Sequence, residues 1–250
     1  MKTISSEKSL IIWGRNANQT NITKVPDKYY LKEDYLKVFM QLRDWAAGEG
    51  SNYSVFIKKW HDINTRVCAE LASKLVADHK ESSDEEILAV INKFRGNVGE
   101  IMAEKIFTSF SSDFDVVDGS YETVDPDNEM FVDAKCISRF DKMPLGVQVK
   151  NYKQNDGHSN PVVRETFVKS IAMTTIWLQD LKLIDKDSIV NFISRPRQII
   201  FSFTDVSDGR LLTDYAGSTM FYGPHKINKL ELHNKSWVFD DIAKEIESLA

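Results

Sequence analysis

Three short pieces of the chain carry side chains able to do chemistry together. Arg95-Gly96-Asn97-Val98-Gly99-Glu100 opens a helical stretch that continues to Glu104. Asp133 falls near the middle of an expected strand, and Gln148-Val149-Lys150-Asn151-Tyr152 closes the next one. Side chains alternate faces along a strand, so Gln148 and Lys150 share one face while Val147 and Val149 share the other. A polar pair on one face of an otherwise apolar central strand is costly unless it meets partners or a ligand. Asp133, on the neighbouring strand, is expected to be such a partner. A carbonyl oxygen, a carboxylate and a cation then lie together. Mg²⁺ takes oxygen ligands of this kind and fills the rest of its octahedron with water and phosphate oxygens. Such a metal lowers the pKa of a bound water and neutralises charge on a phosphate. A lysine beside it orients that water or stabilises the developing charge. Glu100 is expected to approach from the helix and complete the acidic cluster, with Glu104, one turn on, as its substitute.

These groups need a frame, and the periodicity supplies one. Lys32 to Ala47 has apolar residues at Tyr35, Leu36, Phe39, Met40 and Trp45, the spacing of a helix face, and Gly48 to Asn52 breaks it. Val55 to Asp78 repeats the pattern through Ile57, Trp60, Ile63, Val67, Leu71 and Leu75. Ser82-Ser83-Asp84-Glu85-Glu86 reads as a serine N-cap with acids in the first turn. The helix it opens runs through Ile87, Leu88 and Ile91, Gly96 interrupts it, and another helix is expected from Val98 to about Phe110. Beyond Asp113 the texture changes to short β-branched or alternating runs at Phe114–Val117, Met130–Ile137 and Leu145–Lys150, separated by turn residues. A helix from about Val162 to Leu183 follows. Then come a strand at Gln198–Phe203, a second at Thr219–Tyr222 and a helix around Val238–Leu249. From residue 96 the order is helix, three strands, helix, strand. The fold class is therefore α/β, a small mixed sheet with packed helices, preceded by a helical region. The expected division is 1–92 and 93–250.

Composition narrows the function classes. Of 250 residues, 42% are apolar and 28% charged, which suits a folded globular chain. The formal charge of −5 excludes a polybasic binder that holds nucleic acid by bulk charge. It leaves room for a local basic groove, for which Lys58-Lys59, Arg195 with Arg197, and Lys226 with Lys229 are the candidates. Two cysteines, Cys68 and Cys136, make no disulfide framework and read as buried reduced thiols of a cytoplasmic protein. No secretory signal or membrane-spanning run is expected. The histidines at 61, 79, 158, 225 and 233 lack zinc-ligand spacing, and neither glycine-rich nucleotide motif occurs. Trp45, Trp60 and the pair Tyr29-Tyr30 read as core.

Gly96 and Glu100 on a helix, then Asp133, then Gln148-x-Lys150 on the next strand resemble the signature of the PD-(D/E)XK nuclease superfamily. The helix, three strands, helix, strand order is similar to that family's restriction endonuclease-like core. Val147-Gln148-Val149-Lys150-Asn151-Tyr152 resembles the branch of Holliday-junction resolvases and Mrr-type nucleases. The resemblance spans roughly residues 95 to 205. It implies a Mg²⁺-dependent DNA endonuclease, with Mn²⁺ as a substitute, in which Asp133, the Gln148 carbonyl and Glu100 hold the metal and Lys150 assists the attacking water. It also implies a setting in restriction or anti-phage defence, with a second copy or partner subunits contributing specificity. Three alternatives stay open, one of them RNA in place of DNA as the substrate. Asp118 with Asp133-Ala134-Lys135 gives a second register of the same pattern. Gln148 in place of an acid admits a catalytically silent DNA-binding or assembly subunit. The literal Pro126-Asp127 lies too far upstream to serve as the metal ligand.

Overall fold

The computed structural model describes residues 32–48, 55–110, 122–123, 134–137, 144–155, 158–159, 161–180 and 196–248. It is mixed α/β and mostly helical, and it divides into two compact units. The first comprises Met1–Met102, Lys153–His158 and Lys226–Ala250; the second comprises Ala103–Tyr152 and Ser159–His225. No described helix is long and apolar enough to cross a membrane.

The first unit is helical. Helix α1 (Lys32–Ala47) buries Tyr35, Val38, Phe39 and Leu42, one stripe at three- and four-residue steps. Met40, expected on that stripe, stands at its exposed margin. Helix α2 (Phe56–Asp78) buries Phe56, Trp60, Ile63, Val67, Leu71 and Leu75 in the same way. The C-terminal helix α7 (Ser236–Ser248) packs on α1, and its Phe239 stacks on Phe56 with ring centroids 6.0 Å apart. The residues after 225 thus join the N-terminal helices, a grouping that sequence order conceals.

Helix α3 (Asp84–Ser109) runs through both units without a break. Its start is a capping box: Ser83 Oγ accepts from the Glu86 amide at 3.2 Å, and Glu86 Oε2 accepts from the Ser83 amide at 2.9 Å. The expected interruption at Gly96 does not occur, and the expected boundary at 92/93 falls inside the helix. A glycine costs a helix about 1 kcal/mol relative to alanine. Phe94, Val98, Ile101 and Met102, all buried around Gly96, outweigh that preference.

The second unit is built on a five-stranded sheet. Its strands are β1 (Glu122–Thr123), β2 (Ala134–Ile137), β3 (Pro144–Lys150), β6 (Gln198–Ser202) and β7 (Thr219–Tyr222), hydrogen-bonded in that order. The first three are antiparallel; β3, β6 and β7 run parallel. Between β3 and β6 lie the two-residue strands β4 (Gln154–Asn155) and β5 (His158–Ser159), then the crossover helix α4 (Arg164–Asp180). Short helices α5 (Arg210–Asp214) and α6 (Pro224–Asn228) flank β7. Phe107 of α3 packs on Phe201 and Tyr222 at 5.3 and 6.0 Å, covering one sheet face. Phe167 of α4 packs with Val162, Ile200 and Leu211 on the other. The expected strand at Phe114–Val117 lies outside the described residues, as do Tyr29-Tyr30 and the end of the expected 162–183 helix beyond Asp180.

Helix α3 yields a pair of opposite predictions. A Cβ at Gly96 meets nothing within 4 Å, so Gly96→Ala raises the unfolding free energy by about 0.5–1 kcal/mol. Ser83→Ala, which removes the cap, lowers it by about 1 kcal/mol. Urea denaturation of both variants beside the wild type checks the signs, and a destabilised Gly96→Ala contradicts the space seen beside Gly96.

Candidate functional site

Strand β3 is the third of five, flanked by antiparallel β2 and parallel β6. Its register pairs Gly146, Gln148 and Lys150 with Gln198, Ile200 and Ser202 of β6. Paired residues share a face, so these six positions form one side of the sheet, the side that meets α4 through Ile200 and Phe167. Val147 and Val149 share the opposite side with Phe201, where Phe107 packs. The alternation expected for Gln148 and Lys150 is therefore present.

Gln148 is buried and Lys150 partly exposed, and the Lys150 ammonium donates to Gln148 Oε1 at 3.2 Å. Burying an amide without a partner costs about 1–3 kcal/mol. The lysine offsets part of that cost while keeping its charge toward solvent. The end of β3 is tied down by the Phe203 amide, which donates to the Lys150 carbonyl at 3.0 Å. On β6, Ser202 Oγ donates to the Thr204 carbonyl at 2.8 Å, so that hydroxyl serves its own turn. Beyond β3, the Tyr152 hydroxyl lies 3.4 Å from Thr166 Oγ1 at the start of α4.

The other expected site residues are placed as follows. Asp133, Asp118 and Pro126-Asp127 lie outside the described residues. Asp133 immediately precedes Ala134, and Ala134 pairs with Val147, the residue before Gln148. Lys135 of the second register pairs with Gly146. Glu100 is partly buried on the part of α3 that belongs to the first unit, and Glu104 is partly buried on the part that belongs to the second. Gln148 and Lys150 are thus the expected pair that the structure brings into contact. Among the described residues, no group of three or more His, Cys, Asp or Glu forms a metal-binding cluster. Compared with protein-family models, with curated proteins and with solved structures, the chain matches none. Its chemistry has to be read from its own residues.

Two features go beyond what the residue pattern predicts. Gln198 and Ser202 extend the polar face of Gln148 and Lys150 onto β6; the polar ends of Gln198-Ile199-Ile200-Phe201-Ser202 were the available signal. The second feature lies in the first unit. The Ile57 amide at the start of α2 donates to Asn228 Oδ1 at 3.2 Å, across 171 positions of sequence. That contact draws the Lys226–Lys229 segment to the helix end carrying Lys58 and Lys59, whose first turn holds no acid. Two of the three basic pairs noted in the sequence thus belong to segments joined by that bond. Arg197 belongs to the second unit, and Arg195 lies outside the described residues.

Cys68 and Arg95 have an internal role. Burial pushes the Cys68 thiol up, and the neighbouring Arg95 guanidinium and Lys153 offset this only in part. Arg95 is itself buried and donates to Asn92 Oδ1 at 3.3 Å. The neutral thiol is the favoured form, so its contribution to stability is complete at neutral pH and is lost as pH climbs through the raised value. A raised pKa also withholds the reactive thiolate. In the native chain at pH 7.5, Cys68 is expected to react with iodoacetamide at least about 10-fold more slowly than in urea-unfolded chain. Peptide mass mapping separates Cys68 from Cys136, and fast native labelling of Cys68 contradicts this reading.

Proposed function

We propose that the chain is a divalent-metal-dependent endonuclease that hydrolyses phosphodiester bonds in DNA. The observation that carries the reading is the Lys150–Gln148 contact on β3, the central strand of a mixed sheet in which α3 precedes β1, β2 and β3 and the crossover helix α4 precedes β6. A helix before the first strands, a crossover helix before a parallel strand, and a Gln-x-Lys pair on the central strand resemble a restriction endonuclease-like nuclease core. The bond joining the segments that carry Lys58-Lys59 and Lys226 with Lys229 supports a phosphate-bearing partner.

The donor chemistry suits Mg²⁺ or Mn²⁺: a hard amide oxygen from Gln148 and the carboxylate of Asp133, with water and substrate phosphate completing the shell. Such an ion supplies an activated water and neutralises charge on the phosphate. In this reading, Lys150 turns its ammonium from Gln148 Oε1 toward the attacking water or a phosphate oxygen, where it holds the developing negative charge. Gln148 keeps Lys150 on the correct face until then. Val147 and Val149 anchor the strand from the opposite face, so that both polar groups keep their height above the sheet. Restriction or anti-phage defence, with a second copy or partner subunits supplying specificity, is the proposed setting.

A second reading draws on the same contact. Gln148 is neutral, and its oxygen already accepts from an ammonium. A silent subunit of the same fold, binding DNA or assembling with a partner, needs nothing more. Cleavage assays on supercoiled and linear DNA with Mg²⁺ or Mn²⁺ separate the two. The endonuclease cuts, and Asp133→Ala and Lys150→Ala each slow it by about 10²-fold or more. Cutting that survives Lys150→Ala but not Asp133→Ala moves the site to Asp118, Asp133 and Lys135. DNA binding without cutting by any form favours the silent subunit.

A further inference from the structure

The layer between α4 and the sheet holds polar groups that the proposed reaction does not use. The buried stripe of α4 is Phe167, Ser170, Thr174 and Leu178, at steps of three and four residues. Phe167 packs with Ile200, so this stripe faces the side of the sheet that carries Gly146, Gln148 and Gln198. Half of the stripe is hydroxyl-bearing where an apolar pair was available.

Thr174 and Gln198 are both 0% exposed. Among the described residues, Thr174 Oγ1 and Gln198 Oε1 are buried oxygens with no hydrogen-bond partner in the protein. Their environments make this informative. A helical threonine ordinarily returns its hydroxyl to its own backbone. Thr175 does so, donating to the Ile171 carbonyl at 2.7 Å, whereas the Thr174 hydroxyl does not. Gln198 commits its amide nitrogen to Thr219 Oγ1, whose neighbour Ser218 donates to the Tyr215 carbonyl at 3.2 Å. The carboxamide is therefore oriented by a network that leaves its carbonyl oxygen aimed elsewhere. The residue beside Gln198 on the same face of β3 is Gly146, which offers no side-chain partner to the glutamine oxygen.

A buried acceptor and a buried hydroxyl in one packed layer are each costly if left dry, and a single water bridges such groups with two to four bonds. We propose that Thr174 Oγ1 and Gln198 Oε1 hold one internal water between α4 and β6, donating to the glutamine oxygen and bonded to the threonine hydroxyl. The site needs neither metal nor DNA, so it stands or falls independently of the proposed reaction.

Thr174→Val tests it by sign. Valine has the shape of threonine without the hydroxyl. If the water is present, removing one of its partners lowers the melting temperature by about 2–4 °C. If the layer is dry, the same change removes an unsatisfied hydroxyl, and the melting temperature is unchanged or rises, which overturns the proposal. Thr174→Ser, which keeps the hydroxyl, calibrates the loss of the methyl group. Gln198→Met and the double variant complete the cycle: a shared water gives a combined shift smaller than the sum, and strictly additive shifts overturn the sharing. A water–protein NOE to the Gln198 side-chain amide in the labelled full chain gives a readout that does not depend on the variants. Its absence counts against the water.

Discussion

The second unit depends on how β3 is satisfied on its two faces. The strand is hydrogen-bonded on both edges, to β2 and to β6, so its backbone has no freedom to shift register. One face carries Leu145, Val147 and Val149 in the layer covered by α3. The other carries Gly146, Gln148 and Lys150 toward α4. A slip of one residue would put the valines among polar groups and the glutamine into the aromatic layer of Phe107, Phe201 and Tyr222, a loss on both faces. The Lys150–Gln148 contact is thus held by the pattern of the whole strand.

Polar residues recur on the α4 side of the sheet, interspersed with Ile200 and Phe221. Gln148 and Lys150 belong to it at one strand, Gln198 and Ser202 at the next, and Thr219 at the third. Ser170 and Thr174 answer from α4. These polar groups share the layer with the apolar cluster of Val162, Phe167, Ile200 and Leu211.

Much of this was legible from residue spacing. Helix α1 spans the expected Lys32 to Ala47, β7 the expected Thr219 to Tyr222, and the expected serine N-cap is Ser83. These are local patterns, set by a period of 3.6 or 2 and by capping chemistry. The shared face of Gln148 and Lys150 is local too. Gly96 misled because helix propensity is a weak preference beside the burial of Phe94 and Val98. The extension of the polar face onto β6, the return of the chain after 225 to the N-terminal helices, and the Asn228 cap on α2 depend on pairings between distant segments. No periodicity encodes these.

The central claim is that Gln148 and Lys150 belong to a metal-dependent phosphodiesterase site together with Asp133. Calorimetric titration of Mn²⁺ into the full chain and into Asp133→Ala tests it most directly, since metal binding is read without relying on a chosen DNA substrate. The account predicts saturable binding to the wild type that Asp133→Ala loses, because a single neutral oxygen does not hold the ion without a carboxylate. Saturable binding that is unchanged in Asp133→Ala, or no binding to either, would contradict it.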